Sequence, residues 1–574
     1  MATRAIFKKR RWDRDDATPS NSNSRAASQS RTPMRNDSDS DFEEDAEADF
    51  RNIQELLSQK LANLQHATDE TFKETELNKE DRISARDRRQ YNADSLNKAR
   101  IQNTATINEI IGSLGHSRAD VSSSSRELML VQLYKLTVGK PLVVQNDETV
   151  ATPNFVDEDK VQRVINLFVS GNYRTATEFL YLWRSLVALL ASNIEDFSAL
   201  VSTEFLDQVK TLISEPATSV VTNDNKANLI TGFVTLTLVI HHGSSNFGVE
   251  DSVAWLFDLA EGYAASAYAL KKKVESGERD HSTIFDKSED KRLVNEAYGQ
   301  VDSESAVAVA ALHGVGCLLT LLSRGDFLNE LVEDLMMKIV PLVDNDDIRD
   351  IARASARVVA VIYEVYSYPI PEEDEENDDE YNANAPYYEQ GVLFAILERL
   401  ANLPSKKVSK KEKKETHSVF RNILSTLQTY VDPKKREAVY KKTAQGVELI
   451  NTMMDSTYIR LSKFKSLPIN SWMLYTRLRN LKWCFSFGLH DQLVSNESIR
   501  DILSEPDNEY SAGYTVADEF EVDETLLGQK AYAEFVNDYM DSKHSVDEKK
   551  RSEKIKKQRQ VKLEEQLDNL NIKD

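Results

Sequence analysis

Between Asp157 and Leu403 the chain repeats one pattern: an apolar run of helical period, a polar break, and a second such run. DEDKVQRVINLFVSG is followed by YRTATEFLYLWRSLVALLAS, and TEFLDQVKTLISE by NKANLITGFVTLTLVIHHG. VEDSVAWLFDLAEGYAASAYALKKKV precedes SAVAVAALHGVGCLLTLLSRG, and DFLNELVEDLMMKIVPLVDN precedes DDIRDIARASARVVAVIYEVYS. A single helix pair cannot bury its apolar face alone, whereas consecutive pairs can stack and share a core. The expected fold class is therefore all-α: an ARM/HEAT-like helical repeat solenoid with a compact C-terminal helical module and disordered termini. With 18 Gly and 13 Pro in 574 residues, the composition also favours helix over sheet.

The clearest unit runs from Asp344 to Glu364. Asp346 and Asp347 are expected to open its second helix, where negative charge is favourable. Ile348, Ile351, Ala352, Ala354, Ala356, Val358, Val359 and Ile362 then give a broad face of small apolar residues, suited to close helix contact. Pro341 in the preceding helix suggests a kink there. Polar inserts near 276–292 and 369–386 interrupt the array, and the second, PIPEEDEENDDEYNANAP, is strongly acidic.

The ends differ from the middle. Residues 1–51 read as a disordered tail by composition. They hold the basic run Lys8-Lys9-Arg10-Arg11, a candidate nuclear signal, and an acidic block in which Ser38 and Ser40 are candidate phosphorylation sites. The repeat domain is expected over 52–425, a C-terminal helical module over 426–503, and an acidic linker with a basic C-terminal helix over 504–574. That last helix carries Lys549, Lys550, Arg551, Lys554, Lys556, Lys557, Arg559 and Lys562 ahead of a short Leu stripe.

Charge and motifs narrow the function. A net charge of −22 makes the chain a poor generic nucleic-acid binder, so contact with RNA must come from local basic segments. One such segment is Lys406, Lys407, Lys410, Lys411, Lys413 and Lys414, just ahead of HSVFRNILSTLQTYV. Two cysteines, Cys317 and Cys484, are too few for a disulfide framework or a Cys-rich zinc site and suit a reducing compartment. Neither an N-terminal signal peptide nor a transmembrane run is expected. The phosphate-binding loop, the serine-hydrolase elbow and the HExxH metal motif do not occur, so no enzyme, cofactor, metal or small-molecule substrate is expected. His241-His242-Gly243 reads as a polar helix end, and His313 as a packed core histidine.

Near the end, INSWMLYTRLRNLKWCFSFGLHDQLVSNESIRDIL packs aromatics among cations. Trp472 with Tyr475, and Trp483 with Phe487, are expected to share helix faces directed at a core. Arg477, Arg479, Lys482 and Arg500 are expected on the exposed side.

This stretch resembles the C-terminal signature of the interferon-related developmental regulator family. The resemblance rests on Ser471-Trp472, Arg477, Lys482, Phe487-Gly488, Leu493, Asn496-Glu497 and Arg500-Asp501-Ile502. A second match is the Lys-rich lead into Ser418-Val419-Phe420-Arg421. The chain departs from the family at Gln492, where a His is usual, and in the less Gly-rich approach to Gly488. The resemblance implies a non-enzymatic regulator of gene expression that binds idle ribosomes and reduces translation. In that reading the lysine clusters, Arg477, Arg479, Lys482, Arg500 and the basic tail contact rRNA and ribosomal proteins. Other readings are a nuclear transcriptional co-regulator that docks proteins and, from the solenoid alone, a transport adaptor. The expected location is cytoplasmic, with a nuclear pool under the second reading, and no membrane partner is expected.

Overall fold

The computed structural model describes residues 51–59, 106–116, 122–139, 142, 156–276 except 245, 287–368, 385–402, 410–443 except 438, 446–449, 457–461 and 466–504. Ser38 and Ser40, Lys406 and Lys407, and the basic tail from Lys549 to Lys562 lie outside them.

Polar residues start the helices where the apolar period begins. Thr106 caps α1 (Ile107–Leu114) through a reciprocal bond with Glu109. Ser122 opens α2 (Ser123–Gly139), its hydroxyl accepting from the Ser125 amide at 3.1 Å. Asp157 and Thr175 cap α3 (Glu158–Val169) and α4 (Ala176–Ser192). After the short α5 (Ile194–Phe197), Ser202 and Thr222 cap α6 (Thr203–Ser214) and α7 (Asn223–His241). Then come α8 (Val249–Ser276), α9 (Lys287–Leu319), α10 (Asp326–Asp344) and α11 (Arg349–Val365). They are followed by α12 (Gln390–Asn402), α13 (Lys410–Val431) and α14 (Pro433–Glu437).

These helices form pairs. α1 lies on α2, α3 on α4, α6 on α7, α8 on α9, α10 on α11 and α12 on α13. The second member of each pair also packs on the next, so α2, α4, α7, α9, α11 and α13 form a continuous row. Close approach along the row depends on small residues. A Cβ at Gly232 would come within 2.3 Å of the Trp183 indole, and one at Gly314 within 2.7 Å of Val234. Between α2 and α4 the buried Arg126 and Glu178 pair at 3.0 Å, and Arg126 also donates to the Leu114 carbonyl.

One detail of the sequence reading changes, at the start of α11. α11 begins at Arg349 with Ile348 at its cap position, so Asp346 and Asp347 precede the helix. Asp346 faces Arg399 at 3.5 Å. Pro341 sits in the final turn of α10, where it leaves only the carbonyl of the exposed Met337 without an amide donor from its own helix.

The described residues are predominantly helical rather than wholly so. β1 (Tyr440–Thr443) and β2 (Gly446–Leu449) form one antiparallel hairpin, with Thr443 opposite Gly446. β3 (Thr457–Arg460) and β4 (Ser466–Ile469) form another, with Thr457 opposite Ile469. In the second, Ile459 and Ile469 are buried while Tyr458 is exposed, the alternation of a half-buried strand.

The last helices are α15 (Trp472–Phe485), a short 3-10 turn over Ser486–Gly488, α16 (Leu489–Ser495) and α17 (Glu497–Asp501). All of these lie within the C-terminal module expected over 426–503. α15 packs against α4, α7, α9 and α11, that is, along the row itself. Its buried residues Trp472, Leu474, Leu481 and Phe485 belong to the same hydrophobic core as the repeat helices. α15 is therefore an inner strut of the helical stack.

Gly488 fixes how the strut ends. A Cβ there would lie 1.6 Å from the Val138 carbonyl oxygen, because the turn after α15 rests on the end of α2. Gly316, where α9 meets α11 and α15, has nothing closer than 3.5 Å. Gly488→Ala is expected to cost at least about 3 kcal/mol by overpacking against backbone. Gly316→Ala is expected to stay within about 1 kcal/mol of wild type. Urea unfolding of the two variants measures the difference.

Candidate functional site

α15 is held by groups that no local sequence pattern brings together. Ser471 caps it, accepting from the Leu474 amide at 3.2 Å. Glu364, near the end of α11, accepts from the amides of Trp472 and Met473 at 2.9 and 2.8 Å. A buried carboxylate thus satisfies two free N–H groups of the helix start and meets the positive end of its dipole. The Trp472 indole donates to Thr426 on α13 at 2.9 Å.

One helical turn further on, Arg477 is only 2% exposed. Its guanidinium donates to the Thr320 hydroxyl and carbonyl and to the Ile502 carbonyl, at 2.9, 2.8 and 3.1 Å. This corrects its expected place on the exposed side. The acceptors lie 157 and 25 residues away in sequence and together satisfy a cation that would otherwise be expensive to bury. At the far end, Arg184 of α4 donates to the Trp483 carbonyl at 3.0 Å and to the Tyr134 hydroxyl at 2.8 Å. Tyr134 in turn donates to the Cys484 carbonyl at 3.1 Å.

The remaining predicted positions divide. Arg500 is partly buried and reaches the carbonyls of Leu493 and Val494, closing α16. Asn496 caps α17 and donates to the Ser192 carbonyl at 2.7 Å, while Leu493 is fully buried. Phe420 is buried in α13, and Arg421 beside it is exposed. Lys482 is partly buried. Lys410, Lys411, Lys413 and Lys414 lie in the first turns of α13. The signature residues Ser471, Trp472, Arg477, Gly488, Leu493 and Asn496 thus do structural work. Arg479 alone of the expected C-terminal cations is exposed, and it opens onto a groove.

That groove, of about 580 Å³, runs between α7, α9, α11 and α15. α11 contributes Arg353 and Arg357, α15 contributes Arg479, and His313 of α9 lies among them. Asp302 of α9 and Asp350 of α11 stand at its edge, and Arg353 is paired with Asp350. Arg357 lies over the Tyr475 ring, 5.6 Å from its centroid. Protein on its flanks strips hydration from Arg479 and lowers its pKa, and the Arg357 charge lowers it further. Burial, then the charges of Arg479, Arg357 and Arg353, hold the His313 pKa well below the ordinary imidazole value, so His313 is neutral. Arg353 and Arg357 were missed in the sequence reading. Their signal was the four-residue spacing of Arg349, Arg353 and Arg357, which places three cations on one face of a helix whose opposite face is small and apolar.

Among the described residues no three His, Cys, Asp or Glu side chains gather as a metal-ligand set. No helix there is long and apolar enough to cross a membrane. Cys317 and Cys484 are buried free thiols, and burial pushes the Cys317 pKa up to about 12.

His242, at the end of α7, makes this junction sensitive to acid. Burial, then the positive charge of Arg477, lowers its pKa from 6.5 to about 4, against a smaller upward effect of a backbone hydrogen bond at Asp501. The folded protein therefore keeps His242 neutral at pH values where the unfolded chain takes up a proton. Its contribution to stability is complete above pH 6.5 and is lost as pH falls toward 4. The melting midpoint is expected to fall further on acidification from about pH 7 to about pH 4.5 in wild type than in His242→Asn. Scanning calorimetry of both proteins checks this.

Residues 284–428 match the family model of the interferon-related developmental regulator. The match covers Phe420 and Arg421 and stops short of Ser471–Ile502. An uncharacterized protein of the fission yeast Schizosaccharomyces pombe is 24% identical over 208 residues, which is 35% of this chain. The chain spans 41% of that protein's length.

Proposed function

Taking as premise that residues 284–428 carry the interferon-related developmental regulator region, we propose that the protein is a non-enzymatic ribosome-binding factor. It represses translation or marks idle ribosomes by steric occupation. In this reading the paired helices are an ARM/HEAT-like solenoid, a scaffold that presents surface and does no chemistry. The observation that carries the proposal is the placement of positive charge in an acidic chain. The lysine run from Lys406 to Lys414 leads directly into α13, inside the matched region. A second basic run, Lys549 to Lys562, follows an acidic linker. Lysines concentrated in this way bind RNA phosphates by counterion release, without sequence preference and with strong salt dependence. The burial of Arg477 and the partial burial of Arg500 shift the RNA-contacting role onto these lysine runs.

Sucrose-gradient sedimentation of lysates from growing and starved cells tests the proposal. The full chain is expected in the ribosome peak on starvation, at low salt more than at moderate salt. A form ending at Ser542 is expected to stay at the top of the gradient. If both forms stay at the top under every condition, the ribosome reading is wrong and a nuclear protein-docking co-regulator takes its place.

A further inference from the structure

The groove between α7, α9, α11 and α15 holds more positive charge than its own carboxylates balance. Arg353 is paired with Asp350. Arg357 faces the Tyr475 ring, and its buried Nε has no hydrogen-bond partner in the protein. His313 is 5% exposed, and its Nδ1 also lacks a partner. Buried polar atoms in native proteins are nearly always satisfied, so the Arg357 Nε–H points to an acceptor in the groove, and His313 adds a second donor in the tautomer that carries its proton on Nδ1. The acceptor must be anionic, because Arg357 and Arg479 already repel one another there.

We propose that this groove binds a single phosphomonoester group carried on a serine or threonine side chain of a partner peptide. Arg357 and Arg479 would grip its oxygens, and His313, with its proton on Nδ1, would donate from the floor. A phosphomonoester has about two negative charges and three free oxygens, which matches this donor set better than a planar carboxylate does. Asp302 and Asp350 argue against a nucleic acid strand. They place carboxylates at the edge of the groove, where neighbouring phosphates would have to pass, on a chain of net charge −22. An isolated phosphate avoids that repulsion. Ala306, Val309 and Ala310 of α9 add small apolar surface to the groove, and Asn228, Thr231 and Ser305 add polar surface, against which the flanking peptide would lie. The site uses none of the lysines of the ribosome reading, so the two proposals succeed or fail separately.

Fluorescence polarisation on the full chain tests this with two labelled degenerate peptide pools, one centred on phosphoserine and its twin on serine, and with a short single-stranded RNA. The phosphoserine pool is expected to bind and the serine pool not to. Millimolar inorganic phosphate should displace the bound pool. Arg479→Gln should weaken binding about tenfold or more, the loss of one charge-assisted contact. Arg479 is exposed, so this variant is expected to keep wild-type helicity and melting midpoint, whereas Arg357→Gln serves as a second variant nearer the core. Equal binding of both pools, unchanged binding in both arginine variants, or no binding of either pool would overturn the proposal. RNA binding that is lost in Arg479→Gln without any phosphopeptide preference would reassign the groove to nucleic acid. Displacement by phosphate with no greater affinity for the peptide pool than for phosphate itself would remove the peptide from the assignment.

Discussion

Glu364 sets a carboxylate, 4% exposed, against the first turn of a helix more than one hundred residues further along the chain. Breaking that contact leaves either a buried carboxylate or two helix-start amides without partners, and each alternative is costly. The direction of α15 follows from it. With its first turn fixed on α11, the helix runs along the row past α9 and α7 to α4, where Arg184 and Tyr134 hold its last carbonyls. Arg477 then secures the middle by joining the end of α9 to the Ile502 carbonyl. Three polar anchors thus fix the register of a strut whose apolar face alone would allow sliding.

Much of the stack was readable in the sequence because its determinants are local. The 3.6-residue period of the apolar runs and the Thr, Ser and Asp residues before them specify where helices begin, and in the structure Thr175, Ser202 and Thr222 cap the helices that follow them. The strut was not readable as such, since its partners are distant in sequence. INSWMLYTRLRNLKWCF carries the same aromatic and basic content whether it forms a separate module or an inner helix. Arg477 was assigned to the surface because an arginine usually is, and Thr320 gives no sign in sequence that it offers two acceptors. The hairpins were missed because strands of four residues such as YKKT lack the length for a period-two signal.

The candidate site was half legible. Arg479 was singled out as an exposed cation, and the groove confirms its exposure. Arg353 and Arg357 were passed over, because the reading of this stretch followed its apolar face from Ile348 to Ile362. Only the arrival of α15 beside α11 turns that stretch into the wall of a groove, so the site exists as a consequence of strut docking. Gly488 belongs to the same logic: lacking a Cβ, it lets the turn after α15 rest directly on the Val138 carbonyl.

Native-state hydrogen exchange of the full chain tests the strut most directly. If α15 is an inner element of one cooperative stack, the amides of Leu478 and Leu481 should exchange only through the same global opening as those of Leu312 and Val315 in α9. They should also show the same dependence on denaturant. Exchange of the α15 amides through a separate opening of lower free energy, with α9 still protected, would show that the C-terminal segment is an independent module and would contradict this account.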